Sequence, residues 1–228
     1  KTAAFTDCDL VPKVLANVGK PNLSTTVFGR KISMPIFLSP TAMQRLYHPE
    51  GDNASAKAAE KFDPFYSMST MANTTIEEIA NVSSGPKIFQ LYIHKDKSIT
   101  DDLVDRCKRA NFDGLCLTVD TIVAGNRERD HRSGFTTPPK LGLKSIISFA
   151  SKPKWVFDYL TNKKFELSNV KNKTEKGTNI TKSVIQYINE QYDPGMNWND
   201  AEYVIKRWGK PFAIKGIMSV DDAKKAVD

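Results

Sequence analysis

A lysine stands inside the apolar run Phe212-Ala213-Ile214-Lys215-Gly216-Ile217. Desolvating an ammonium group is costly unless an anion, or negative charge that develops during a reaction, stands beside it. Four earlier apolar runs also end in polar groups: Pro40-Thr41-Ala42, Ser69, Gln90 with Tyr92, and Thr118 with Asp120. They form a consistent polar set, whereas a purely structural strand end would tolerate apolar residues at most of these positions. Metal chemistry is not expected, because His48, His94 and His131 are scattered and none lies at helical spacing from another. Cys8, Cys107 and Cys116 form no paired framework, which fits a reducing compartment. Cys116, within Leu115-Cys116-Leu117, reads as a small buried hydrophobe.

The elements that must position these groups follow from the pattern. Pro35–Pro40, Pro64–Ser69, Lys87–Ile93, Gly114–Asp120 and Phe212–Ile217 read as buried parallel strands. Helix-starting signals lie between them: Thr75-x-x-Glu78, Ser98-x-x-Asp101 and Ser219-x-x-Asp222. The first four strands end near residues 40, 69, 93 and 120, the spacing of one βα unit in a barrel of eight. A doubly wound sheet has similar spacing, but no Gly-x-Gly-x-x-Gly follows the first strand. The expected fold is therefore α/β, a (β/α)8 TIM barrel of which about five βα units are present. It forms one domain over residues 1–228, with a helix over Asn199–Trp208 and a long insertion at 133–195 after the fourth strand.

Net charge is concentrated in that insertion. Residues 140–182 hold ten lysines, no arginine and three acids, which accounts for the whole formal charge of +7. Lys152-Pro153-Lys154-Trp155-Val156-Phe157-Asp158-Tyr159-Leu160 mixes cations with apolar anchors, the composition of a segment lying on an anionic bilayer; a lid over the barrel mouth or a subunit contact has the same composition. Nucleic acid is not an expected partner, since no nucleic-acid module accompanies the charge. No run of eighteen apolar residues suggests a membrane span, and Lys1–Asp9 has no leader-like apolar stretch. The expected location is the cytoplasm, at the inner face of the plasma membrane if the insertion binds lipid.

The motifs occur in a telling order. Pro40-Thr41-Ala42-Met43-Gln44 with His48-Pro49-Glu50-Gly51, Ser69-Thr70-Met71-Ala72, Phe89-Gln90-Leu91-Tyr92, Leu117-Thr118-Val119-Asp120-Thr121, Arg127-Glu128-Arg129-Asp130 and Ile214-Lys215-Gly216 together resemble the FMN-dependent 2-hydroxy-acid dehydrogenases and oxidases. The resemblance implies that Pro40, Thr41 and Ala42 face the N5 edge of the flavin. It implies that Ser69, Gln90 and Thr118 hydrogen-bond its ring, with Lys215 by the pyrimidine edge, where a cation stabilises the reduced ring. Tyr92 and Arg127 match substrate-contacting positions, Arg127 offering a planar fork to a carboxylate; an ion pair with Glu128 or Asp130 is the structural alternative. Asp120 matches the carboxylate that orients the histidine base.

Arg127–Gly134, Lys154-Trp155, Leu167-Ser168-Asn169 and Met196–Asp200 are similar to the membrane-associated lactate and mandelate dehydrogenases, bacterial L-lactate dehydrogenase above all. Ala42 is glycolate oxidase-like. The implied reaction is oxidation of an L-2-hydroxy acid, lactate first, to the 2-oxo acid. A membrane quinone or, in a soluble glycolate oxidase-like enzyme, oxygen takes the electrons; a non-redox FMN-binding barrel is the rival. The family's Ser-Asn-His-Gly-Gly-Arg base motif and its phosphate site have no counterpart in this sequence, so the chain reads as an N-terminal fragment, inactive alone, of an enzyme that the resemblance makes a homo-oligomer, usually a tetramer.

Overall fold

The computed structural model describes residues 3–17, 19–121, 125–126, 128–133, 142–162, 166–170 and 190–228. A short helix, α1 (Ala3–Thr6), precedes an antiparallel hairpin of β1 (Thr25–Val27) and β2 (Arg30–Ile32). Its two-residue turn, Phe28-Gly29, has φ values of 49° and 74°, the positive pair that a type I′ turn requires. Five parallel strands follow: β3 (Phe37–Leu38), β4 (Phe65–Ser69), β5 (Lys87–Leu91), β6 (Gly114–Thr118) and β7 (Phe212–Lys215). They lie side by side in chain order as one curled sheet, which is part of a TIM barrel.

Register divides the sheet into two faces. Ser67 pairs with Ile88 and Ile88 with Gly114, while Ser69 pairs with Gln90, Gln90 with Cys116 and Cys116 with Ala213. Residues paired in register point to one side, so these form the inner face. Tyr66, Met68, Phe89, Leu91, Leu115 and Leu117 take the other side and are buried under helices. Those helices are α2 (Asp52–Phe62), α3 (Ile76–Val82), α4 (Lys97–Arg109) and α8 (Trp198–Trp208), which contribute Ala56, Ala59, Ile79, Leu103, Val104, Val204 and Trp208 to the same core.

The inner face changes character along the strands. At their N-terminal ends Phe65 and Ile88 pack with Ile32, Val27 and Phe28 of the hairpin. Phe28 meets Phe65 edge-on at 5.8 Å, and Phe37 stacks on Phe65 at 4.9 Å. Gly114 makes room for this plug: a Cβ there would lie 3.0 Å from Ile88 Cγ2 and 3.2 Å from the Phe28 ring.

The helix signals at Thr75 and Ser219 hold. Thr75 and Glu78 form a capping box, and Ser219 caps the last helix, α9 (Val220–Val227). The signal at Ser98 does not, because Asp96 is the N-cap of α4 and its carboxylate accepts from Ser98 N at 2.9 Å. The expected Asn199–Trp208 helix begins one residue earlier, behind a capping box of Asn197 and Asp200. Within the long insertion expected at 133–195, and just before it, lie α5 (Glu128–Ser133), α6 (Leu143–Ala150) and α7 (Pro153–Thr161). Much of the lysine-rich stretch, including 171–182, lies outside the described residues. Among the described residues no helix is long and apolar enough to cross a membrane.

His94 is fully buried just beyond β5, its ring edge-on to Tyr192 at 5.4 Å. Burial holds its pKa down at about 4, against 6.5 for an ordinary histidine. The unfolded chain therefore binds a proton between these values that the folded chain refuses, so stability falls as pH drops through that window. The loss should approach about 3 kcal/mol by pH 4. In acid-unfolding curves of the protein, His94→Gln should flatten the slope between pH 6.5 and 4, and an unchanged slope would show that His94 is not its source.

Candidate active site

The polar ends of the strands meet in a row. Ser69, Gln90 and Thr118 are 3%, 2% and 2% exposed, on the inner face of three adjacent strands. Gln90 Nε2 donates to Thr118 Oγ1 at 2.8 Å, and Ser69 Oγ lies a long 3.4 Å from Gln90 Oε1. Thr118 is the register partner of Lys215 on β7, which carries the row to a fourth strand. Thr70 fastens the row from behind: its hydroxyl donates to Gln90 O at 2.7 Å and accepts from Tyr92 N at 3.2 Å.

Lys215 is half-exposed, and its Nζ lies 3.5 Å from Asp120 Oδ1. Backbone geometry enforces their approach. Gly216 has φ +114°, and a Cβ on it would stand 2.7 Å from Asp120 Cβ, so only glycine fits between them. The pair is long and partly solvated, so its direct contribution to stability is small. Next in the row, the Cys116 thiol is pushed up in pKa by burial, with the Lys215 charge pulling the other way; it packs against the apolar plug as a small hydrophobe.

Pro40, Thr41 and Ala42 leave β3 directly. Pro40 and Ala42 are half-buried and Thr41 exposed. Gln44 Nε2 donates to Thr41 O at 3.4 Å, and Met43 N donates to Met71 O at 3.2 Å, so this loop is tied to the one after Ser69. Tyr92 is half-buried just past β5, and its ring stacks on Tyr192 at 4.5 Å. Arg127 lies outside the described residues. The structure thus brings Ser69, Gln90, Thr118, Asp120 and Lys215 together across adjacent strands, with 40–42 alongside.

A buried network under this rim went unread in the sequence. Asp52, fully buried at the start of α2, accepts from Gln44 Nε2 (3.2 Å) and Tyr66 OH (3.1 Å) at Oδ1, and from Asn73 N (3.2 Å) at Oδ2. Burial raises the pKa of its carboxyl, and the hydrogen bonds from Tyr66 and Asn73 oppose the rise. Asp52 directly follows the His48–Gly51 motif and Asn73 the Ser69–Ala72 motif, and this adjacency is their signal in the sequence.

A family model described as FMN-dependent dehydrogenase matches residues 1–228. The chain belongs to this family. FMN is the family's cofactor. The chain is 34% identical over 224 residues to glycolate oxidase 1 of Oryza sativa subsp. indica, covering 98% of this chain and 55% of that one. Glycolate oxidase of Spinacia oleracea is 33% identical over the same length and coverage. The chain therefore spans about half the length of the curated relatives it matches. Among solved structures, a monotopic membrane (S)-mandelate dehydrogenase superposes with a TM-score of 0.89 at 28% identity, covering 99% of this chain and 59% of that one. A protein described as a lactate oxidase of Pediococcus acidilactici superposes with a TM-score of 0.73 at 27% identity, covering 99% and 53%.

Replacing Thr118 by Val keeps its shape but deprives the buried Gln90 amide of its acceptor, which should cost about 1–3 kcal/mol. Thermal unfolding should show that loss, and adding Gln90→Leu should cost less than the two single changes together. Strict additivity would mean that the bond contributes nothing.

Proposed function

We propose that residues 1–228 form the flavin-facing part of an enzyme that oxidises an L-2-hydroxy acid, lactate first, to the 2-oxo acid. In this reading they are one FMN-binding domain with 133–195 as its basic insertion. The supporting observation is the row Ser69–Gln90–Thr118–Lys215 at the C-terminal ends of four adjacent strands, joined by the register pairs Ser69–Gln90 and Thr118–Lys215 and by the Gln90–Thr118 hydrogen bond. The relatives' names support the substrate class, since glycolate, lactate and mandelate are all 2-hydroxy acids.

The donor set fits FMN. Gln90 spends one amide hydrogen on Thr118, and that hydroxyl accepts it, so one amide hydrogen of Gln90 and the hydroxyl hydrogen of Thr118 are not used within the row. These donors suit the carbonyl oxygens and ring nitrogens of an isoalloxazine, while Pro40, Thr41 and Ala42 would line its opposite edge. FMN, when bound, supplies an acceptor for two electrons. Lys215 holds a positive charge at the end of the row, where negative charge gathers on reduction. Tyr92 and Arg127 would hold the substrate carboxylate, the arginine by two parallel N–H bonds. Asp120 would orient the histidine base that the family resemblance places after a sixth strand, and would steady it once protonated.

A membrane quinone is the proposed electron acceptor, with the protein peripheral on the inner face of the plasma membrane. In α6 and α7, Ile146, Ile147, Phe157 and Leu160 are 51–74% exposed, close to the exposed Lys152 and Lys154. Apolar anchors beside cations suit an anionic bilayer. The glycolate oxidase relatives favour a second reading, a soluble oxidase with oxygen as acceptor.

The full-length protein, loaded with FMN and kept from oxygen, should lose its visible flavin absorbance on adding L-lactate, glycolate or L-mandelate. Lys215→Met should slow that bleaching by about 100-fold or more. A flavin that stays oxidised with every L-2-hydroxy acid would overturn the redox reading. Phe157→Asp with Leu160→Asp should abolish salt-sensitive binding to anionic vesicles, and wild-type protein that ignores such vesicles at low salt would leave oxygen as the acceptor.

A further inference from the structure

The segment carrying α6 and α7 does not simply lie on the barrel's outside. Trp155 Nε1 donates to Leu46 O at 2.7 Å, so α7 is fastened to the loop that begins Pro40-Thr41-Ala42. The indole is held for this bond by stacking between Phe149 at 5.4 Å and Tyr159 at 5.2 Å. Further along, the segment grips the neighbouring loop, the one after Ser69. Ser168 N donates to Ala72 O at 3.3 Å, Ser168 Oγ to Asn73 O at 2.8 Å, and Asn73 Nδ2 to Glu166 O at 2.8 Å. Asn169 accepts from Ile76 N at 3.0 Å, donates to Thr74 O at 3.1 Å, and is itself gripped by Arg106 of α4.

Between these fastenings the two loops are bound to each other. Arg45 N donates to Asn73 Oδ1 at 3.2 Å and the Arg45 guanidinium bonds Asn73 O. Asp52 takes Asn73 N on one oxygen and Gln44 Nε2 on the other, and Gln44 reaches Thr41 O. A continuous chain of hydrogen bonds thus runs from Trp155 and Ser168 to the loop of residues 40–42 and to the loop that starts at Ser69.

We propose that residues 142–162 and 166–170 act as a strap that positions the two loops flanking the flavin edge, with Trp155 and Ser168 as its positioning residues. The inference rests on the FMN reading above. It assigns to the insertion an effect on the cofactor rim that is independent of any contact with lipid.

Trp155→Phe and Ser168→Ala test it in the full-length protein. The first keeps an aromatic ring between Phe149 and Tyr159 while removing the N–H donor; the second removes one hydroxyl and leaves Asn73 O its bond from Arg45. Hydrogen–deuterium exchange of FMN-free protein should accelerate about fivefold at residues 43–46 in the first variant and about fivefold at 72–76 in the second, the effect of one lost hydrogen bond. The dissociation constant for FMN, read by flavin fluorescence, should rise about three- to tenfold in each, with Tm nearly unchanged. Unchanged exchange at these loops would overturn the strap, as would a rise spread evenly over β4–β6 with a falling Tm, which marks a merely structural role. Faster loop exchange with unaltered FMN affinity would overturn the positioning of the rim. Wild-type protein that takes up no FMN would instead defeat the functional reading, and the loop exchange would still decide whether the strap holds them.

Discussion

In a parallel sheet, side chains two residues apart share a face, and in-register pairing carries that face from strand to strand. In this chain a single parity therefore governs both stability and chemistry. Ser69, Gln90, Thr118 and Lys215 fall on the inner face, and Met68, Phe89, Leu117 and Ile214 on the outer. A slip of one residue at β5 would put Phe89 into the polar row and Gln90 into the apolar layer beneath the helices. The core under α2–α4 and α8 thus guards the polar row against such a slip, because one residue of shift would take Phe89 and Leu91 out of the core together.

Much of this was legible in the chain. The five strands stood out because each is a short apolar run bounded by turn residues, and the strand-end residues could be read in order because each run closes on a polar group. Local chemistry misled at Ser98, where an aspartate two residues upstream is the better acceptor for the first free N–H groups. No starting box announces α2, whose N-cap is Gly51 at φ 51° with no side-chain bond. The hairpin β1–β2 escaped notice because its strands are three residues long and its burial arises only on contact with Phe65 and Ile88. The lysines of 140–182 hid the helical periodicity of α6 and α7. The strap was beyond reach for a different reason: Ser168 and Asn73 are 95 residues apart, and nothing in either neighbourhood names the other.

The pairing of Lys215 with Asp120 carries a further constraint. Their contact is long and both groups stay partly solvated, so it is weak enough to yield to a stronger partner. Gly216 permits this approach through its backbone, since any side chain there would clash with Asp120. The same weak pair keeps a cation and an anion side by side at the rim without locking either.

The apolar plug at the other end of the sheet has an evolutionary corollary. Phe28, Phe37, Phe65 and Ile88 fill the floor of the inner face through aromatic and apolar contacts that reach Cys116 but not Ser69, Gln90, Thr118 or Lys215. Foundation and mouth are thus separate modules on the same strands. Substitutions among the polar strand ends leave the foundation's contacts in place, whereas Gly114, which lets the hairpin tip approach, leaves almost no room for drift.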